Sequence, residues 1–334
     1  MKRKQDIMID GEPLEDQRSG GFWRGVRRFF KYFFIVLALA LVTAIIFIWY
    51  NLSKLSINPL DLGSLAATGG RTNILVLGIG DPGHPGQNLS DTLMVISIDH
   101  ISGKVALISL PRDLRVPIPG HYSAKINQAN ALGGPKLAEQ TVANTLGMPI
   151  NYYVKTDFSG LKNLVDDVGG LDITVTSRLS DPEYPCADNE NKVCGLDIEP
   201  GTYHMNGATV LEYTRCRKGT CGNDFGRAAR QQDVIEKLQA SIARPRVYLN
   251  PTTDAALLTT VRTYSQTDLS VGNMITVGRE LHGAPQTIKF VFSTSPGGFL
   301  RDIPGSSDLG PTTGNFSAIQ AYVQDIFSQP ASTN

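Results

Sequence analysis

Hydrophobic positions in this chain fall into three kinds of pattern, and each predicts a different element. The longest unbroken apolar run is Tyr32–Tyr50, YFFIVLALALVTAIIFIWY, which holds no charge, no Gly and no Pro. Short, largely apolar runs of five or six residues recur further on, Asn73–Leu77, Leu93–Ile98 and Val105–Leu110, and Tyr152–Thr156 and the four-residue Asp172–Val175 read as strands too. Runs of that length between turn residues predict buried strands. Segments with helical spacing lie between and after them. They predict helices over 136–146 closed by Gly147, over 158–168 closed by Gly169-Gly170, over 207–215 capped by Asn206, and from Asp224 to about Ala243. The tail of the chain predicts helices near 253–265, 271–282 and 316–328 and a strand near 287–293. Buried strands alternating with helices indicate an α/β fold with a mixed sheet. The Gly/Pro-rich stretch Gly78–Asn88 predicts a loop, and Asp99–Lys104 a hairpin turn.

As a helix, Tyr32–Tyr50 would rise roughly 28 Å, the thickness of a bilayer core. Aromatic residues stand at both of its ends, and Arg24, Arg27, Arg28 and Lys31 crowd its N-terminal side. The positive-inside rule therefore places 1–31 in the cytoplasm as a basic tail, 32–50 in the membrane, and the rest outside. A cleaved signal peptide would show a shorter apolar region and a small-residue cleavage site. The expected organisation is tail 1–31, transmembrane helix 32–50, linker 51–70 and one extracytoplasmic domain over 71–334.

The chain has 334 residues, 31 basic and 31 acidic, so its net charge is zero. With the basic N-terminal tail set aside, the remainder is slightly acidic. Duplex nucleic acid is not an indicated partner. All four cysteines, Cys186, Cys194, Cys216 and Cys221, lie in the expected exported part. Four cysteines allow three pairings. The spacings favour two local disulfides, 186 with 194 and 216 with 221, and an exported address favours disulfides over zinc.

The densest chemistry lies in Tyr213–Gln232, YTRCRKGTCGNDFGRAARQQ. Arg227, Arg230 and Gln231 are spaced i, i+3 and i+4 on the predicted helix, and Arg215 and Arg217 arrive from the segment before it. Converging guanidinium groups near a helix N-terminus suit a phosphate or pyrophosphate. A solvated basic helix face is the simpler alternative. Two further motifs favour the ligand. Leu110-Pro111-Arg112-Asp113 follows one buried strand, and Ser90-Asp91-Thr92 precedes another. Ligand sites in α/β proteins gather at such strand ends. An Asp beside clustered arginines also suggests Mg2+, or Mn2+ in its place, shared between carboxylate and phosphate oxygens.

These segments carry a family resemblance. NILVLG (73–78), SDT (90–92), VALISLPRD (105–113), KIN (125–127), DFSGLKNLVDDVGGLDITV (157–175), NGATVLEYTRCR (206–217) and DFGRAARQQ (224–232) resemble, in order, the LytR–CpsA–Psr family. The resemblance covers roughly 71–245. It implies a three-layer α-β-α domain with a central mixed sheet behind one N-terminal transmembrane helix. It also implies a transferase that moves a glycopolymer from a polyprenyl-pyrophosphate carrier to peptidoglycan with Mg2+. On that reading Asp91 and Asp224 are metal and catalytic carboxylates, with Asp224 the first candidate for the acceptor proton. Arg112, Arg215, Arg217 and Arg227 hold the pyrophosphate, Gln231 adds a hydrogen bond, and Lys125 and Arg230 are further head-group contacts. Many members carry Arg directly before SDT; here that place is Leu89, Asp81 approximately fills the family's preceding acidic position, and His84 is the candidate replacement for the arginine. A polyprenyl-pyrophosphate hydrolase would use the same residues, and a non-enzymatic envelope regulator would need none of them for catalysis.

Overall fold

The computed structural model describes residues 64–186, 192–248 and 250–328. The expected tail 1–31, membrane helix 32–50 and most of the linker lie outside the described residues. Among the described residues no helix is long and apolar enough to cross a membrane.

The chain opens with β1 (Arg71–Ile79), β2 (Ser90–Asp99), β3 (Val105–Ser109), and a small hairpin of β4 (Arg115–Pro117) and β5 (Ser123–Lys125). Then come α1 (Gln128–Leu146), β6 (Tyr152–Thr156), α2 (Phe158–Asp167), β7 (Leu171–Val175), β8 (Leu179–Asp181), β9 (Leu196–Ile198) and β10 (Gly201–Met205). The second half holds α3 (Gly207–Arg215), a 3-10 turn (Gly219–Cys221), α4 (Asn223–Ile242), α5 (Pro245–Tyr248) and α6 (Pro251–Tyr264). It ends with β11 (Ser265–Thr267), α7 (Val271–Gly283), β12 (Thr287–Val291), β13 (Leu300–Asp302), β14 (Leu309–Pro311) and α8 (Ser317–Gln324).

Six strands form the main sheet in the order β11-β6-β1-β2-β3-β12. β1 runs parallel to β6 and antiparallel to β2, and β3 runs parallel to β12, so the sheet is mixed. Alternation along the strands sends side chains to two cores. Leu75, Leu77, Val95 and Ile108 pack against Val142 and Leu146 of α1 and Ile319 and Val323 of α8. Ile74, Met94, Ile96 and Leu107 face the other way, toward Ile235 of α4 and Val277 of α7. Helices on both faces make the three layers. A third cluster joins α2, β7, α3 and the Cys216–Cys221 pair to Val234 of α4.

Local chemistry explains the element ends. Asp157 caps α2 by accepting the Gly160 N–H at 2.7 Å, and Asn206 caps α3 by accepting that of Thr209 at 3.0 Å. Gly147 closes α1 at φ 66°. One helix differs from the expectation: α1 begins at Gln128, eight residues early, and crosses a break at Gly133-Gly134 ahead of Pro135. Pro135 cannot donate into the preceding turn, so two glycines absorb the kink. At the far end of the sheet, Arg71 donates to the carbonyls of Val323 and Gln324 at 3.2 and 2.7 Å and lies over the Phe327 ring.

Candidate functional site

A cleft of about 300 Å3 opens where β1 and β2 meet the helices of the third cluster. Its apolar wall is Val76, Ile79, Leu161, Leu211, Val234 and Ile235. Its polar rim includes Asp91, Arg112, Arg215, Arg217, Arg227 and Gln231. Asp224 lines a smaller adjoining recess with Asp91, Arg112, Arg227 and Gln231.

Asp91 is delivered by a β-bulge. The expectation put Ser90-Asp91-Thr92 before a strand; they are the first three residues of β2 itself. Gly78 pairs with Thr92 and Ile79 with Ser90, so Asp91 is left without a partner in the ladder. A bulge re-aims the side chain of the extra residue. Gly78 is needed there, because a Cβ would stand 2.8 Å from Thr92 Oγ1.

Arg112 follows β3 and reaches Asp91, with Nη1 2.5 Å from Oδ1. Its Nε is buried and has no hydrogen-bond partner among the described residues; Asp113 Oδ2 is 3.8 Å away and Asp224 Oδ2 4.0 Å. Burial opposes its charge, but Asp91 first, then Asp224 and Asp113, outweigh that and raise its pKa.

Asp224 sits in the first turn of α4 because of two left-handed residues before it, Gly222 at φ 74° and Asn223 at φ 56°. Glycine and asparagine are the residues that take this conformation at least cost. Gly226 lets α4 approach the 3-10 turn, since its Cβ would meet the Cys221 carbonyl oxygen at 2.3 Å. Arg227 Nη2 is 2.9 Å from Asp224 Oδ1, off the hydrogen-bond direction, and donates to the Asp91 carbonyl at 3.4 Å. Burial lowers the Arg227 pKa; Asp224 counters this and Arg112 adds to it.

Cys186 is bonded to Cys194 and Cys216 to Cys221. The second bond closes the loop that carries Arg217 and Lys218. Asp181, nearly fully buried, accepts the backbone N–H groups of both at 3.1 and 3.0 Å. Arg215 lies over the Phe158 ring at 4.5 Å from its centroid, with Tyr184 at 6.0 Å. His84 lines the same cleft and meets the edge of Phe158. Leu89 lies outside the cleft lining. Asp81 caps α2 by accepting the Ser159 N–H at 2.7 Å.

Two expected head-group contacts are not brought to the cleft. Arg230 donates to the carbonyls of Tyr213, Cys221 and Cys216. On an α-helix it stands about 100° from Gln231, which turns it toward the end of α3. The unpaired carbonyls there need donors, and burial lowers its pKa to about 10. Lys125 donates to Asp113 Oδ1 at 2.6 Å and Ser307 Oγ at 2.9 Å and does not line the cleft. Conversely, Asp181, Tyr184 and Phe158 were not among the expected site residues. Phe158 was findable, since it follows the carboxyl end of a strand beside β1. Nothing in the polar stretch 177–200 singles out Asp181.

No three His, Cys, Asp or Glu side chains gather as a metal cage among the described residues. Mg2+ does not require one, because it commonly takes one or two carboxylates and completes its shell with phosphate and water. Asp91 and Asp224 flank Arg112, and Asp224 Oδ1 is buried without a hydrogen bond. That donor set fits Mg2+ in this shared form.

The sequence profile of the LytR_cpsA_psr family matches residues 52–305. Regulatory protein MsrR of Staphylococcus aureus (strain Mu50) is 34% identical over 211 residues, 63% of this chain and 60% of its own. The chain thus spans well under two thirds of that relative's length. The polyisoprenyl-teichoic acid–peptidoglycan teichoic acid transferase TagU of Enterococcus faecalis (strain V583) is 34% identical over 221 residues, 65% of this chain and 68% of its own. Two solved structures share the fold. B. subtilis TagT superposes with a TM-score of 0.59 at 20% identity, over 80% of this chain and 95% of that one. TagT with bound octaprenyl pyrophosphate gives 0.57 at 20% identity, over 80% and 94%. On its family match, and on a mixed-sheet fold shared with those structures, the chain belongs to the LytR–CpsA–Psr family.

Proposed function

We propose that this protein transfers a glycopolymer from a polyprenyl-pyrophosphate carrier to a hydroxyl of peptidoglycan. The observation that carries the reading is one continuous cleft, apolar along Val76, Leu161 and Ile235 and lined with guanidinium groups at its rim. A prenyl chain and a pyrophosphate need those two surfaces side by side. The activity for which TagU is named, and the lipid bound in the TagT structure, support the same chemistry here.

The acceptor hydroxyl attacks the phosphorus nearer the glycan. A new phosphodiester bond forms, the bridging P–O bond breaks, and polyprenyl phosphate leaves. Arg112, Arg227 and Arg217 neutralise charge developing on the non-bridging oxygens, which is the main catalytic demand of phosphoryl transfer. Arg215, held on Phe158, and Gln231 orient the head group. Asp224 takes the acceptor proton, with Asp91 the second candidate. Mg2+, held by Asp91 and Asp224 with phosphate oxygens, would supply further charge neutralisation when bound.

Residues 32–50 read as the membrane anchor, with the domain on the outer face. The two disulfides support that oxidising address.

Mass spectrometry of lipid carried by the full chain, beside the Arg215→Ala/Arg227→Ala variant, tests the reading. Polyprenyl phosphate or pyrophosphate is expected in the wild type and lost from the variant. Labelled lipid-linked glycan with peptidoglycan then separates transfer from release to water. Absence of lipid from both proteins, with no binding on adding it back, would overturn the reading.

A further inference from the structure

The segment that leads into β14 approaches the site from beyond the family match, which ends at residue 305. Leu309 donates its N–H to the Asp113 carbonyl at 2.9 Å and bridges to Leu114. This lays Ser307 and Asp308 beside the turn that carries Arg112. Lys125 stands between the two segments, bonded to Asp113 Oδ1 and Ser307 Oγ, with Asp308 Oδ1 3.8 Å from its Nζ. Asp308 is itself buried and fixed by Arg115 at 2.6 Å. A fixed carboxylate thus stands behind a lysine, the lysine holds Asp113, and Asp113 stands beside Arg112.

The second oxygen of Asp113 is the one that matters. Oδ2 stops 3.8 Å short of Arg112 Nε, and Asp224 Oδ2 stops at 4.0 Å. Neither is within hydrogen-bond reach. The buried Nε–H is left open between them. A buried donor without a partner is costly, and Arg112 lines the cleft, so a small shift of its guanidinium toward an incoming anion would give this one an oxygen. Asp113 could also fill it from within, by a turn of about 1 Å. Lys125 draws Asp113 the other way.

We propose that Asp308 is a positioning residue for Arg112: by anchoring Lys125, it holds Asp113 back from Arg112 Nε and keeps that N–H for a phosphoryl oxygen. The proposal rests on the pyrophosphate reading above. Asp308 touches neither ligand nor reacting atoms. Its removal acts by letting Asp113 close on Arg112, so removing the Asp113 charge as well should undo the damage.

Calorimetric titration of the full chain with geranylgeranyl pyrophosphate is the test. Asp308→Asn should weaken binding about tenfold, the scale of one charge-assisted hydrogen bond. Asp308→Asn/Asp113→Asn should recover to within about threefold of wild type. Arg115→Ala, which frees Asp308 from its hydrogen bond but keeps its charge, should weaken binding in the same direction and by less than Asp308→Asn. Unchanged affinity in Asp308→Asn overturns the proposal. So does a loss that the double variant fails to repair, or a loss in Arg115→Ala larger than that in Asp308→Asn, since either marks a merely loosened hairpin. If Asp308→Asn does not fold, Lys125→Met with and without Asp113→Asn carries the same comparison. Wild type that binds no pyrophosphate overturns the functional reading and this proposal with it; wild type that binds equally well without Asp308 overturns the proposal alone.

Discussion

Arg227 and Arg230 sit three residues apart on α4, almost equally buried at 7% and 8% exposure, and burial lowers the pKa of both. Their surroundings are nevertheless opposite. Every hydrogen-bond partner of Arg230 is main-chain carbonyl, at the end of α3 and at the 3-10 turn. Arg227 faces Asp224, the Asp91 carbonyl and the cleft. Neutral, fixed partners use up a guanidinium's donors and make it part of the fold. Carboxylates around a cleft leave it able to trade partners with an incoming anion. The same residue type, on the same helix, therefore supports structure on one side and ligand chemistry on the other.

The comparison breaks most visibly at Arg230. Arg230→Met leaves three buried carbonyls without donors, and a loss of about 3–5 kcal/mol is expected. Urea denaturation measures it, and the folded fraction should still bind pyrophosphate. A stable variant that has lost binding would erase the division. Arg227→Ala should do the reverse. Transfer falls about 10²–10³-fold, while the urea midpoint moves little.

Gly226→Ala sharpens the boundary between the two sides. Its Cβ would press on the Cys221 carbonyl, a fixed backbone atom that also accepts from Arg230. A cost of about 1–3 kcal/mol is expected by thermal unfolding. An increase in stability would show that the Cys221 carbonyl gives way to a methyl group. The smallest effect lies away from α4, at His204. Its pKa is raised by the Asp172 hydrogen bond, then by the Gly169 carbonyl. A raised folded pKa contributes stability below the ordinary imidazole value of 6.5. That contribution is lost as pH rises through the folded pKa. His204→Gln should flatten the slope of melting temperature against pH just above 6.5, without changing ligand binding. An unchanged slope would remove His204 from the pH dependence.

Much of this was legible in the sequence wherever the cause is local. The strands at 73–77, 93–98 and 105–110 follow from short apolar runs; the first two are observed longer, and the third ends one residue earlier, at Ser109. Asn206 and Gly147 marked helix ends because capping depends on neighbouring atoms. Asp91 and Arg112 were legible as motifs at strand ends, and Arg227 and Gln231 from their spacing on one helix. What could not be read depends on atoms distant in the chain. Arg230 shares a helix with Arg227, and only the position of α3 decides that it turns to carbonyls. Asp181 lies 36 residues from the Arg217 N–H it receives. The Lys125–Ser307 bond spans 182 residues. Asp91 is re-aimed by a bulge whose register depends on its pairing with β1, not on its own neighbours.

The Arg71 clasp has a mechanical consequence. It ties the first residue of β1 to the end of the last helix, so the folded unit is entered and left at one pole. β1 runs nine residues from there to the cleft, about 30 Å. A pull on the chain ahead of Arg71 is taken up by a strand laddered on both sides, to β2 and to β6. Tension at the entry pole is thus borne by the middle of the sheet before it can reach the rim where Asp91 and Arg112 meet.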